Sequence, residues 1–131
     1  MTIFGTGIDL VEIKRFADVV DRFGERFLKR VFTESELAYC LSRPNFEMHL
    51  AARFAAKEAV SKAFGTGWGS FSWRDIEVNN DPSGAPKVNL SGGAAKIFAE
   101  SKGEEMLISI SHTKDMAIAQ AIIIKGKREE G

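Results

Sequence analysis

The chain has 131 residues, of which 44% are hydrophobic: enough for one packed domain and too little for two. Eighteen basic residues balance eighteen acidic ones, so net charge gives no support for generic nucleic-acid binding, while weak self-repulsion is compatible with assembly. The single cysteine, Cys40, rules out an internal disulfide and reads as a buried, reduced thiol; no apolar run suffices for a bilayer, and Met1 to Leu10 lacks the basic start of a signal peptide, which together predict a cytoplasmic protein without membrane contact.

Thr2 to Leu10 reads as a strand, with Phe4, Thr6, Ile8 and Leu10 on one face and Ile3, Gly5, Gly7 and Asp9 on the other. The bare glycine face suits either a ligand or another backbone coming close, or a helix packed tightly on the strand. A helix follows over about Val11 to Val31, with Ile13, Phe16, Ala17, Val20 and Phe23 at helical period and Gly24 as a point of kinking or division. Thr33-Glu34-Ser35-Glu36 is a capping box that opens a short helix. After Pro44, Asn45 is placed to cap a longer helix that Gly65 stops. Ala52, Ala55, Ala56, Ala59 and Ala63 form one arc of it, small enough for the helix to sit very close to a sheet. Gly65 to Ser72 is a glycine-rich loop. Ile76 to Asn79 and Lys87 to Leu90 are strands joined by the turn Asp81-Pro82-Ser83-Gly84. A short helix from Ser91 or Gly92 to about Lys102 is closed by Gly103, and Met106 to His112 with Met116 to Ile124 makes a last hairpin. This order predicts one α+β domain over 1–125, a largely antiparallel sheet packed against the long helix, with a polar tail at 126–131.

The long helix carries the densest chemistry, in Arg53-Phe54-Ala55-Ala56-Lys57-Glu58-Ala59-Val60-Ser61-Lys62. At about 100° per residue, Glu58 and Lys62 lie about 40° apart, as do Arg53 and Lys57, away from the alanine arc. Three cations and a carboxylate there are either a solvated face or a charged site. Gly65-Thr66-Gly67 is either a helix terminus or a set of backbone N–H and hydroxyl donors for phosphate. Donors and cations converging on a carboxylate suit a metal-bound, multiply phosphorylated ligand. Asp9 and Glu58 become a pair of Mg²⁺ carboxylates if the first strand lies beside this helix. His112, at a strand end, is either structural or a phosphate donor that titrates near neutral pH. His49 has no evident partner and reads as surface. On the first helix, Arg15, Arg22, Arg26 and Lys29 would share about 60° of arc if the helix is continuous, with Lys14 nearby. Such a stripe suits an acidic partner surface.

Three stretches, taken together, resemble the bacterial holo-[acyl-carrier-protein] synthases, the short class of 4′-phosphopantetheinyl transferases. They are Gly7-Ile8-Asp9-Leu10 with Glu12-Ile13-Lys14-Arg15-Phe16, the run from Arg53 through Gly65-Thr66-Gly67, and Ile110-Ser111-His112-Thr113. The resemblance extends from the first strand to the last hairpin. It implies that fold, and a Mg²⁺-dependent transfer of the phosphopantetheine arm of coenzyme A to a serine of apo acyl carrier protein. The transfer releases adenosine 3′,5′-bisphosphate and supports fatty acid biosynthesis. A homotrimer with sites at subunit boundaries is implied as well. Residue by residue, the resemblance implies Asp9 and Glu58 as metal ligands and Lys62 as a lysine meeting the coenzyme A phosphates, with Lys57 adding charge. Arg53 and His112 become positions lining the nucleotide site, with Gly65-Thr66-Gly67 beside it. Arg15 takes the carrier-docking position, extended by Lys14, Arg22 and Arg26. Asp9, Glu58, Lys62 and His112 are the expected catalytic set. The serine proton passes either to Glu58 through a water or to a hydroxide on the metal. Two rivals remain. A Mg²⁺-dependent phosphohydrolase of nucleotide-type diphosphates would not need the basic helix, and a non-catalytic carrier-binding module would need no metal.

Overall fold

The computed structural model describes residues 1–126. The expected tail lies outside the described residues except for Gly126, whose N–H donates to the Lys102 carbonyl at 2.9 Å. In chain order the elements are β1 (Thr2–Glu12), α1 (Ile13–Val31), α2 (Glu34–Leu41), α3 (Phe46–Phe64), a 3₁₀ turn at Trp73–Asp75, β2 (Ile76–Asn80), β3 (Pro86–Leu90), α4 (Gly92–Glu100), β4 (Gly103–His112) and β5 (Met116–Lys125). The antiparallel strands divide into a sheet in the order β1-β5-β4 and a separate β2-β3 hairpin. The α+β class with a long helix on an antiparallel sheet is as expected.

β5 is central, and its alternation sorts the two faces of the sheet. Ala117, Ala119 and Ala121 are buried under α3, while Ile118, Gln120 and Ile122 point the other way. The alanine arc of α3 meets that inner face, and all five of its alanines are buried. Of the two readings of the glycine face of β1, helix packing is the one that holds. A Cβ on Gly5 would fall 2.1 Å from the Ala63 carbonyl oxygen, and one on Gly7 would fall 1.8 Å from that of Ala59. The obstacle is helix backbone, which cannot swing aside. Gly7→Ala is therefore expected to cost about 3 kcal/mol or more, read as a large fall in Tm. Gly69→Ala, where a Cβ meets nothing within 4 Å, should leave Tm unchanged.

Local signals hold in most places. Thr33 Oγ1 accepts from the Glu36 N–H at 3.3 Å while Glu36 Oε1 accepts from the Thr33 N–H at 2.8 Å, completing the capping box. Gly65 ends α3 at φ 77°, but Asn45 makes no side-chain cap there. The first helix begins at Ile13 because β1 pairs with β5 as far as Glu12. A bulge between Ile3 and Gly5 breaks the alternation, so Ile3 is 57% exposed instead of sharing the glycine face. The turn after α4 is made by Lys102 at φ 61°, and Gly103 opens β4 with the Phe98 ring against it. Gly24, at φ 63° and ψ −149°, divides α1. The basic stripe is therefore not one continuous arc: Arg15 and Arg22 precede the break, and Arg26 and Lys29 follow it.

Candidate active site

Asp9 and Glu58 open onto one cleft of about 470 Å³ between β1, α1 and α3, with Arg15, Phe16, Phe54 and Met116 among its walls. The tight β1–α3 contact allowed by Gly5 and Gly7 sets the strand carboxylate beside the helix carboxylate. Lys62 Nζ lies 3.0 Å from Asp9 Oδ1 and donates to the Ile8 carbonyl at 3.0 Å. Burial raises the Glu58 carboxyl above its ordinary value, and the charge on Asp9 adds to that; the Trp68 indole and Lys62 pull the other way. Gly65, Thr66 and Gly67 begin three residues after Lys62, at the end of α3, and are exposed.

Lys57 does not join this group. It is fully buried, with Nζ 2.8 Å from Glu36 Oε1 and donating to the carbonyls of Trp73, at 3.1 Å, and of Ile76. An ammonium has three N–H donors, and all three are committed, so the expectation that Lys57 adds charge at a phosphate is corrected. Glu36 Oε2 also accepts from the Val78 N–H at 2.9 Å, so the pair ties α2, α3 and β2 together. The reason is layering: the face of α3 away from the sheet is covered by α2 and the β2-β3 hairpin instead of by water. Burial lowers Lys57, and the Glu36 charge opposes that.

Arg53 shares that covered face at 4% exposure, so of the three cations expected on an open side only Lys62 is open. Arg53 Nε and Nη2 are buried without a hydrogen-bond partner. Among the described residues no carboxylate lies within 4.0 Å of Arg53. Its Cζ stands 4.3 Å from the Tyr39 ring centre and that of Arg43 stands 4.1 Å from the same ring. His49 meets Tyr39 edge-on at 5.7 Å. Burial lowers His49, and the positive charges of Arg53, Arg43 and His112 lower it further. His49, expected at the surface, is half-buried within a cationic group. Only its four-residue spacing from Arg53 could have suggested this; nothing local marks Tyr39 or Arg43. His112 lines a second cleft, of about 450 Å³, with Asn45, Met48 and Thr113. The expected residues thus separate: Asp9 and Glu58 line one cleft with Lys62 on Asp9, His112 lines another, and Arg53 lies in neither, against Tyr39. Cys40 is buried as expected, and burial pushes its thiol up to about 11.

Arg15 sits in the wall of the Asp9–Glu58 cleft; Lys14, Arg22 and Arg26 are exposed on α1, Arg26 beyond the Gly24 break. Among the described residues no helix is long and apolar enough to cross a membrane.

The family model described as the 4′-phosphopantetheinyl transferase superfamily matches residues 5–121. The chain is 46% identical over 122 residues to a holo-[acyl-carrier-protein] synthase from Koribacter versatilis, covering 92% of this chain and 98% of that relative. It is similar to the crystal structure of that enzyme from Neisseria meningitidis, with a TM-score of 0.88, 34% identity, and coverage of 95% of this chain and 100% of that one. The Helicobacter pylori enzyme, solved in complex with coenzyme A, gives a TM-score of 0.80 and 34% identity, over 91% of this chain and 99% of that one.

Proposed function

We infer how the site works from the premise that this chain belongs to the 4′-phosphopantetheinyl transferase superfamily. Its activity is transfer of the 4′-phosphopantetheine arm from coenzyme A to apo acyl carrier protein. The observation that carries the site assignment is the convergence of Asp9 and Glu58 on one cleft, with Lys62 on Asp9. The whole of 1–125 serves as the transferase domain, working in the cytoplasm and supplying holo carrier for fatty acid biosynthesis.

The donor set fits Mg²⁺. Two carboxylates face one cleft, the Asp9 charge disfavouring that of Glu58, and among the described residues no cluster of three or more metal-ligating side chains occurs. Mg²⁺ characteristically takes one or two carboxylates and completes its octahedron with water and phosphate oxygens. Asp9 and Glu58 would hold it, and when bound it supplies Lewis-acid stabilisation of the diphosphate.

The remaining work falls to the chain's own groups. The carrier serine oxygen forms a bond to the β-phosphorus of coenzyme A. The bond from that phosphorus to the bridging oxygen breaks, and adenosine 3′,5′-bisphosphate leaves with the electron pair. Lys62, on a flexible and half-exposed stem, moves from Asp9 to the phosphates and balances the charge on the leaving group. Glu58, raised by burial, is suited to take the serine proton through a water. Gly65, Thr66 and Gly67 offer backbone N–H groups beside Lys62. Arg53 and His112 receive another anionic part of the nucleotide.

Neither Arg53 nor His112 lines the Asp9–Glu58 cleft of the same chain, which supports a homotrimer with each site completed at a subunit boundary. So does the outer face of the β1-β5-β4 sheet, where Ile8 is 57%, Leu10 59% and Leu107 44% exposed around a shallow groove lined by Ile118 and Gln120. Arg15, Lys14 and Arg22 dock the acidic carrier, with Arg26 beyond the Gly24 break. Arg15→Glu is expected to raise KM for the carrier about tenfold with little change in KM for coenzyme A, and added salt should slow carrier association. Equal effects on both substrates would exclude a docking role. The function as a whole is tested by intact-mass measurement of an apo carrier incubated with coenzyme A, with and without Mg²⁺. A Mg²⁺-dependent gain of one phosphopantetheine supports transfer. Hydrolysed coenzyme A beside unmodified carrier would mean a phosphohydrolase, and carrier binding without either change a non-catalytic module.

A further inference from the structure

We propose that Tyr39 is a positioning residue for the nucleotide, its ring holding the Arg53 guanidinium ready to receive an anionic, phosphate-type group of coenzyme A. This rests on the reading of Arg53 as a nucleotide-site residue. Tyr39 stands on α2, and its hydroxyl accepts from Asn80 Nδ2 at 3.1 Å, which fixes the ring against the β2-β3 hairpin. Arg53 Cζ lies over that ring at 4.3 Å.

The choice of an aromatic partner decides what Arg53 can do. A carboxylate would hold the guanidinium equally well, but it would neutralise the charge and occupy the planar fork of donors. A π face attracts the cation from above and leaves the in-plane N–H groups unused. That is the state of Arg53: Nε and Nη2 are buried and have no acceptor. A desolvated guanidinium with unused donors and no counter-charge is costly to maintain, and an incoming anion relieves that cost. Arg43, 4.1 Å from the same ring, adds a second positive charge. The ring thus keeps two cations in one place without quenching either. A tyrosine that merely filled space would have no need of guanidinium groups over its face.

The test uses the intact enzyme and adenosine 3′,5′-bisphosphate as the probe, titrated calorimetrically, beside KM and kcat. Tyr39→Phe keeps the ring and should bind within about twofold of wild type. Phenylalanines bearing one, two and three fluorines at position 39 keep the ring's shape, and so the fold, while draining the negative potential of its face. Affinity should fall stepwise along that series, by about fivefold in all. KM for coenzyme A should rise in parallel while kcat and KM for the carrier stay put. Arg53→Gln serves as the control for the underlying reading. If Arg53→Gln loses affinity and the fluorinated series is flat, the Arg53 reading stands and the role of Tyr39 is overturned. If Arg53→Gln binds the bisphosphate as tightly as wild type, Arg53 is not a nucleotide residue and both fall.

Discussion

Glu58→Gln and Asp9→Asn are each expected to lower kcat by about 10²–10³-fold, the scale of losing one preorganised charged group at a transition state. Both substitutions preserve shape, so circular dichroism should be unchanged while calorimetric Mg²⁺ binding is lost. Undiminished transfer at saturating Mg²⁺ would remove the residue from the ligand set. The two variants should part company in stability. Glu58 is raised by burial and by the Asp9 charge, so the folded state holds its proton more tightly than the unfolded chain does. Its contribution to stability is then fully present below the unfolded value of about 4.3 and is lost as pH rises through the higher folded value. In metal-free buffer Glu58→Gln should therefore melt above wild type at neutral pH, with the difference vanishing in acid. Asp9→Asn also gives up the contact with Lys62 and should show less gain or a loss.

The second large effect concerns stability alone. Lys57→Met or Glu36→Leu, made singly, leaves an uncompensated charge in a fully buried position. Breaking such a pair typically costs about 3–5 kcal/mol. For a chain of 131 residues that is a fall in Tm of about 10–20 °C. The double variant should be less damaged than the sum of the singles, because each single carries the cost of the orphaned partner. It should not reach wild type, since the N–H groups of Thr33 and Val78 lose their acceptor on Glu36. Singles that melt within a degree or two of wild type would show that the pair does not hold α2, α3 and β2 together.

These two residues also show what could be read from the chain beforehand. Glycines at positions 5 and 7 and alanines at 59 and 63 carry their meaning locally: absent side chains on a strand and on a helix can be satisfied by pressing the two together. Asp9 and Glu58 follow from that contact and were legible as a pair. The fate of Lys57 was not. A helical wheel separates the small residues of α3 from its charged ones, and it takes the charged side to be wet. Whether a second layer covers that side depends on α2 and the β2-β3 hairpin, which are distant in sequence and carry their own signals. The partner, Glu36, was legible only as half of a capping box with Thr33; its second oxygen reaches Val78 across the fold. For the same reason, the aromatic support of Arg53 escapes any local pattern. The break at Gly24 was visible as a possibility, but its angle was not, and the angle decides whether Arg26 continues the face begun by Arg15.

If Asp9 holds the metal as proposed, Lys62, seated on it at 3.0 Å, is the chain's own competitor for that carboxylate. A divalent ion arriving alone must evict an ammonium and leave it without a counter-charge. One arriving together with a diphosphate hands that ammonium a new anion to grip. Ion and nucleotide should therefore load as a unit, each enhancing the other's affinity by the same factor. When coenzyme A runs short, the tethered lysine would weaken the hold of an idle enzyme on stray metal.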